Sequence, residues 1–193
     1  MEKLKIAIII SSTRDTRFGP VPAQWLLEQA QQREEIEAEV VDLKEFDLPF
    51  FNEKGSNIRF PSEDPRAVAW QKKIGEFDGY IVVTAEYNRS LTGAMKNAFD
   101  QAYVEWMNKP IGFLGYGAVG AARAIEHGRS IAIELHMVPV RSAAHIGGSE
   151  YVATVHKRQP ISTIEQAILP STNEMLDQLI WWGKATKAAR AAS

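Results

Sequence analysis

Five stretches of the chain are almost wholly apolar or β-branched, and between them apolar positions recur at helical spacing. The stretches run Leu4 to Ile10, Ala38 to Leu43, Gly79 to Thr84, Ile111 to Tyr116 and Val138 to Ile146. Continuous apolar runs in the first, third and fourth predict strands buried on both faces, at the centre of a sheet. The second alternates, with Glu39 and Asp42 between apolar residues, and is expected nearer an edge. Helices are predicted at 21–33, 64–77, 92–103, 121–136 and 171–191. Ser62 or Asp64 can cap the second of these while Pro65 sets φ for its first turn. In the last, Leu176, Leu179 and Ile180 form an apolar stripe, and Lys184, Lys187 and Arg190 suit the negative end of the helix dipole.

Strands alternating with helices predict an α/β fold: a doubly wound, five-stranded parallel sheet with helices on both faces. The element count fits flavodoxin-like order 2-1-3-4-5. In such sheets ligands collect outside the carboxyl ends of the strands, where strand order reverses. The loops after strands one, three and four therefore carry the functional question.

Composition narrows the classes. With 193 residues, 45% hydrophobic and 24% charged, one domain over 1–193 is expected. A net charge of -2 argues against a basic surface for nucleic acid or anionic lipid, so neither is expected as a partner. Zero cysteines exclude disulfides, thiolate metal sites and thiol nucleophiles, and fit a reducing, cytoplasmic setting. No leader is read before the first strand, and no apolar run approaches the roughly 20 residues that span a bilayer. His127, His136, His145 and His156 form neither H-x-x-x-H nor H-E-x-x-H, so no metal is expected. G-x-S-x-G is absent, which argues against a serine hydrolase.

After strand one the chain reads Ser11-Ser12-Thr13-Arg14-Asp15-Thr16-Arg17-Phe18-Gly19-Pro20. Where a strand feeds a helix, free backbone N–H groups and the positive end of the helix dipole share one crevice. Hydroxyls add short donors, an arginine fork matches phosphate oxygens, and Gly19 allows close backbone approach. The stretch reads as a phosphate cradle, or as a capped helix with solvated arginines. It is not a Walker A loop, and G-x-G-x-x-G is missing from it, which leaves a mononucleotide phosphate as the better fit.

After strand three, Glu86, Tyr87 and Asn88 stand before a helix that Ser90 or Thr92 can cap. A tyrosine face and an asparagine amide suit a planar heterocycle. The same residues also read as a tight turn with Asn88 left-handed and Tyr87 packed locally. After strand four, Gly115, Gly117 and Gly120 surround Tyr116. They serve either close approach of backbone to a ring or tight strand-to-helix packing.

The motifs S-x-R-x-x-R-x-G and E-Y-N-x-S-x-x-G-x-x-K-N-A-x-D resemble the NADPH-dependent FMN reductase family, which includes quinone, azo-dye and chromate reductases. The resemblance covers the chain through Gly117 at least. It implies FMN phosphate on Ser12, Thr13, Arg14 and Arg17, with backbone near Phe18 and Gly19, and the ring lined by Ala85, Glu86, Tyr87, Asn88, Gly115, Tyr116 and Gly117. Ala85 replaces the family's usual proline before E-Y-N, and Gly115 and Ala118 depart from S-Y-G-G. Trp106 and Met107 are expected to border the substrate pocket, and residues 48–57 to form a second, mobile wall.

The implied activity is transfer of hydride from NADPH or NADH through FMN to a small electron acceptor, in two alternating half-reactions. The flavin would carry the chemistry, so no catalytic acid or nucleophile is required of the protein. A noncatalytic flavin-binding electron carrier or redox sensor is the alternative. A homodimer, or a homotetramer built of dimers, is expected from Trp181, Trp182 and the aromatic residues near position 50.

Overall fold

In the computed structural model, which describes residues 2–192, β1 (Leu4–Ile10) is the hub of the sheet. Side chains alternate across it: Ile6, Ile8 and Ile10 enter one core, Ala7 and Ile9 the other. β2 (Ile36–Asp42) pairs with β1 on the outer side, β3 (Gly79–Ala85) on the inner side, and β4 (Pro110–Tyr116) follows β3. All pairings are parallel, in the order β2-β1-β3-β4-β5. α1 (Pro20–Gln31) and α6 (Glu165–Ala191) cover one face, the latter through Met175, Leu176 and Leu179. α2 (Pro65–Gly75), α3 (Gly93–Asp100) and α4 (Ala122–Glu134) cover the other. Strands coated on both sides need no polar face, which is why β3 and β4 are buried at every position.

The fifth predicted strand is two pieces. β5 (Val138–Pro139) pairs with the start of β4, and β6 (Ala144–Ile146) with its end. Pro139 has no N–H to give the ladder, and the chain leaves the sheet before rejoining it. A short α5 (Gly148–Tyr151) and a single π-helical turn, Val152–His156, follow. The last helix also starts earlier than expected, at Glu165, and passes through Pro170. That proline forfeits one intrahelical bond, while buried Ile164 and Ile168 hold the added turn on the core.

The amino ends of the strands carry a charge network. Asp78 accepts from the Lys5 amide at 3.1 Å, from Lys187 at 2.9 Å and from Arg190 at 2.9 Å. Buried Lys109 donates to the Tyr80 hydroxyl at 3.1 Å and the Gly75 carbonyl at 3.3 Å. The carboxyl ends, where β1, β3 and β4 release their loops, are built differently.

Candidate functional site

Ser11 and Ser12 leave β1 fully buried, and the chain then surfaces through Thr13, Arg14, Asp15 and Thr16. Thr13 and Thr16 make no hydrogen bond, by amide or hydroxyl, to any described residue, so their donors face solvent. Arg14 gives its Nε–H to the Tyr87 hydroxyl at 2.7 Å, and its guanidinium lies 5.6 Å from that ring's centre. One side chain thus joins the loop after β1 to the loop after β3.

Two of the predicted phosphate residues are committed elsewhere. The Ser12 hydroxyl meets that of Tyr116 at 3.0 Å. Burial raises the Tyr116 phenol's pKa, opposed in part by this bond. Arg17 grips Asp42 with both terminal nitrogens, NH1 at 2.6 Å and NH2 closer still, and NH1 also donates to the Ser12 carbonyl at 2.7 Å. Asp42 ends β2 level with Ile10, beside the cradle. A carboxylate closing the neighbouring strand was the signal for this partnership, and the sequence reading passed over it. Gly19 is required by space: a Cβ there would stand 3.0 Å from the Ser12 Oγ and 3.2 Å from the Tyr116 hydroxyl.

After β3, Tyr87 and Ser90 exchange backbone bonds at 3.0 and 3.1 Å around Asn88 and Arg89. Both central residues are left-handed, with φ of 51° and 68°, as a type I′ turn demands. Ala85 is buried in β3, with 5% exposure, and offers a ligand no surface of consequence. Glu86 turns away from the hairpin to α4. It accepts the amides of Arg123 and Ala124 at 3.2 and 3.4 Å, and the Arg123 Nε at 2.6 Å. Burial pushes the Glu86 carboxyl's pKa up, but Arg123 and these amides outweigh it, and the net direction is downward. Arg123, the other half of this cap, was not foreseen. Nor was the bond between Ser90 Oγ and His127 Nδ1, at 2.7 Å.

G-x-G-x-x-G does occur in the chain, at Gly115, Gly117 and Gly120, between β4 and α4. The geometry gives Gly115 and Gly120 packing duties, while Gly117 has room for a Cβ and is set apart by its φ of 155°. A Cβ on Gly115 would stand 2.6 Å from the Gly120 carbonyl, and one on Gly120 2.8 Å from the His145 Cβ. The helix terminus that a dinucleotide fingerprint would offer to a pyrophosphate is filled by Glu86.

Trp106 and Met107 lie away from this crevice. Helix α3 runs back to the amino edge of the sheet, so residues 101–109, which lead into β4, belong to the opposite end. Trp106 has no exposure and packs against Trp70, Tyr80 and Phe99. Fully buried Trp106 offers a substrate no surface.

The 48–57 segment does form a wall. Leu48 and Phe50, with Leu43, Ala94 and Asn97, line a cleft of about 540 Å³ to which Thr13 of the cradle also contributes. The segment, expected to be mobile, is tied to α3: Asn97 and Gln101 donate to the Pro49 carbonyl at 2.8 and 2.6 Å, and the Phe51 amide donates to Asn97 at 2.9 Å.

A parallel sheet in the order β2-β1-β3-β4-β5 with helices on both faces places the chain in the flavodoxin-like class of folds. The chain belongs to the NADPH-dependent FMN reductase family, whose sequence model matches residues 4–150. It is thus an oxidoreductase that works with FMN and with NADH or NADPH. An NAD(P)H-dependent FMN reductase of Nectria sp, ntnL, is 32% identical over 126 residues, 62% of this chain and 63% of that one. A 2-hydroxy-1,4-benzoquinone reductase of Burkholderia sp is 33% identical over 143 residues, covering 70% and 73% of the two chains. The solved structure of FerB, an NAD(P)H:(acceptor) oxidoreductase from Paracoccus denitrificans, superposes with a TM-score of 0.70 at 22% identity, over 91% of this chain and 97% of that one, and supports the fold. No helix among the described residues is long and apolar enough to cross a membrane.

Proposed function

We propose that the chain holds FMN in the crevice between the loops after β1, β3 and β4, and reduces small quinone-type acceptors in two alternating half-reactions. The observation that carries the reading is the cradle: unpartnered donors on Thr13 and Thr16 and the outer fork of Arg14 share the loop after β1, where strand order reverses. A phosphate monoester fits such a donor set, because it brings charge and several acceptor oxygens to groups that lack partners. The half-buried Tyr87, tilted against Arg14, supplies an aromatic surface beside it.

Thr13, Arg14 and the backbone toward Phe18 and Gly19 would hold the phosphate. Tyr87, Asn88 and the Gly117 backbone would border the ring, with the buried Ser12–Tyr116 pair supporting the loops beneath. Bound FMN supplies hydride acceptance and donation, so orientation and water exclusion are what the protein adds. The cleft sets Leu43, Leu48, Phe50 and Ala94 beside the polar groups of Lys44, Asp47 and Asn97, and adjoins the cradle through Thr13. It suits a flat, weakly polar acceptor, and the Burkholderia relative's name supports quinones. The exposed side chains of Phe50 and Trp181, at 88% and 64%, support a homodimer or a dimer of dimers. A cysteine-free composition supports a cytoplasmic setting.

The test is a visible spectrum of the purified protein titrated with FMN and then, without oxygen, with NADPH or NADH. A flavin spectrum that binds, bleaches and recovers on adding a benzoquinone is expected. Binding without bleaching would make the chain an electron carrier, and no binding would overturn the reading.

A further inference from the structure

We infer that Asp42 is a positioning residue for the cofactor's phosphate: it fixes Arg17 as a brace behind the cradle and leaves Arg14 as the cation that meets the phosphate. The inference rests on the FMN reading above and assigns different work to the two arginines of the motif.

Arg17 has committed three of its five N–H donors, and both of its terminal nitrogens, to the fold. Both terminal nitrogens lie on Asp42, and NH1 also holds the Ser12 carbonyl at 2.7 Å. The side chains of Arg17 and Asp42 are only 12% and 16% exposed, so the pair is largely withdrawn from water. A guanidinium matched by a carboxylate in this two-pronged way has almost no net charge to offer a third group. Its contribution is to shape. By clamping the Ser12 carbonyl to the end of β2, it fixes where the backbone of Thr13 and Arg14 leaves the sheet.

Arg14 is the reverse case. It is exposed, its Nε is anchored on Tyr87 at 2.7 Å, and its two terminal nitrogens have no partner among the described residues. Anchored at one nitrogen and open at two, it presents the fork that phosphate oxygens match.

The experiment compares FMN with riboflavin, which lacks the phosphate, by quenching of flavin fluorescence on wild type, Asp42→Ala, Arg17→Ala and the double variant. Asp42→Ala is expected to raise the FMN Kd about tenfold while moving riboflavin less than about twofold. Arg17→Ala and the double variant are expected to match it, because the pair acts as one unit. Asp42→Asn, which keeps the shape and one acceptor, should fall between, and it serves if the alanine variant does not fold. FMN affinity that is unchanged or tighter in both Asp42 variants would overturn the inference, since freeing Arg17 would then have supplied a phosphate ligand. Parallel loss of FMN and riboflavin would also overturn it, by showing a general structural role. Failure of wild type to bind either flavin would overturn the cofactor reading first, and this inference with it.

Discussion

Arg14 and Tyr87 are bonded through Nε and the phenol oxygen at 2.7 Å although 73 residues separate them. The bond closes the crevice between the first and third strand-end loops. It also makes one cation answerable to both ends of the proposed ligand.

Replacing Arg14 with alanine should therefore weaken FMN at least tenfold and steepen no salt dependence, because the screened charge has gone. Tyr87→Phe removes only the anchor and no direct ligand contact, and a loss of about two- to fivefold is expected, in the range of one ordinary net hydrogen bond of about 0.5–1 kcal/mol. Fluorescence titrations at two salt concentrations check both.

Gly19→Ala should cost about 1–3 kcal/mol of stability, since the new methyl meets Ile10 and the Ser12–Tyr116 bond at 3.0 to 3.2 Å. Tyr116→Phe removes the bond without adding volume and should cost about 1 kcal/mol. Urea unfolding without flavin measures each.

Glu86→Gln should destabilise the chain by about 1 kcal/mol, because the carboxylate caps α4 and pairs with Arg123. The native carboxyl's pKa lies below its ordinary value. Its stabilisation is thus present above the usual carboxylate pKa and is lost as pH falls through the lowered one. Unfolding midpoints measured from neutral pH into that acid range should fall more steeply in wild type than in the variant.

Lys109 acts at the other end of the pH scale. Burial, assisted by Arg190, lowers its pKa from 10.5 to about 8. Between those values the unfolded chain binds a proton that the native chain has released, so stability rises with pH through that window. Buried Tyr80, with its phenol raised well above 10, works in the opposite direction only above that pH. Wild type should gain about 1–2 kcal/mol between about pH 8 and pH 10, and Lys109→Met should lose the gain.

Centre and edge were legible because they follow from where apolar residues are continuous and where they alternate: Glu39 and Asp42 placed β2 nearer an edge, and the count of alternating elements supplied the order. The crevice followed from topology. The pairing of Glu86 with Arg123 was not legible, since it depends on helix phase, which sequence spacing does not carry, whereas the carboxylate closing β2 at Asp42 could have pointed to Arg17. The break at Pro139 could have been read from the missing donor. Trp106 could have been placed too, as a helix after β3 must end at the amino edge. The glycine pattern at 115–120 shows the opposite hazard, a spacing that matches a known fingerprint while the geometry uses it for packing.

The network around Asp78 ties the first strand, the start of β3 and the last helix together at the end of the sheet farthest from the crevice. Engineering can exploit that separation. A library confined to Lys5, Asp78, Lys187 and Arg190 would tune heat tolerance, and a second confined to Leu43, Leu48, Phe50 and Ala94 would tune acceptor choice. Winners from the two should combine freely, because no residue belongs to both.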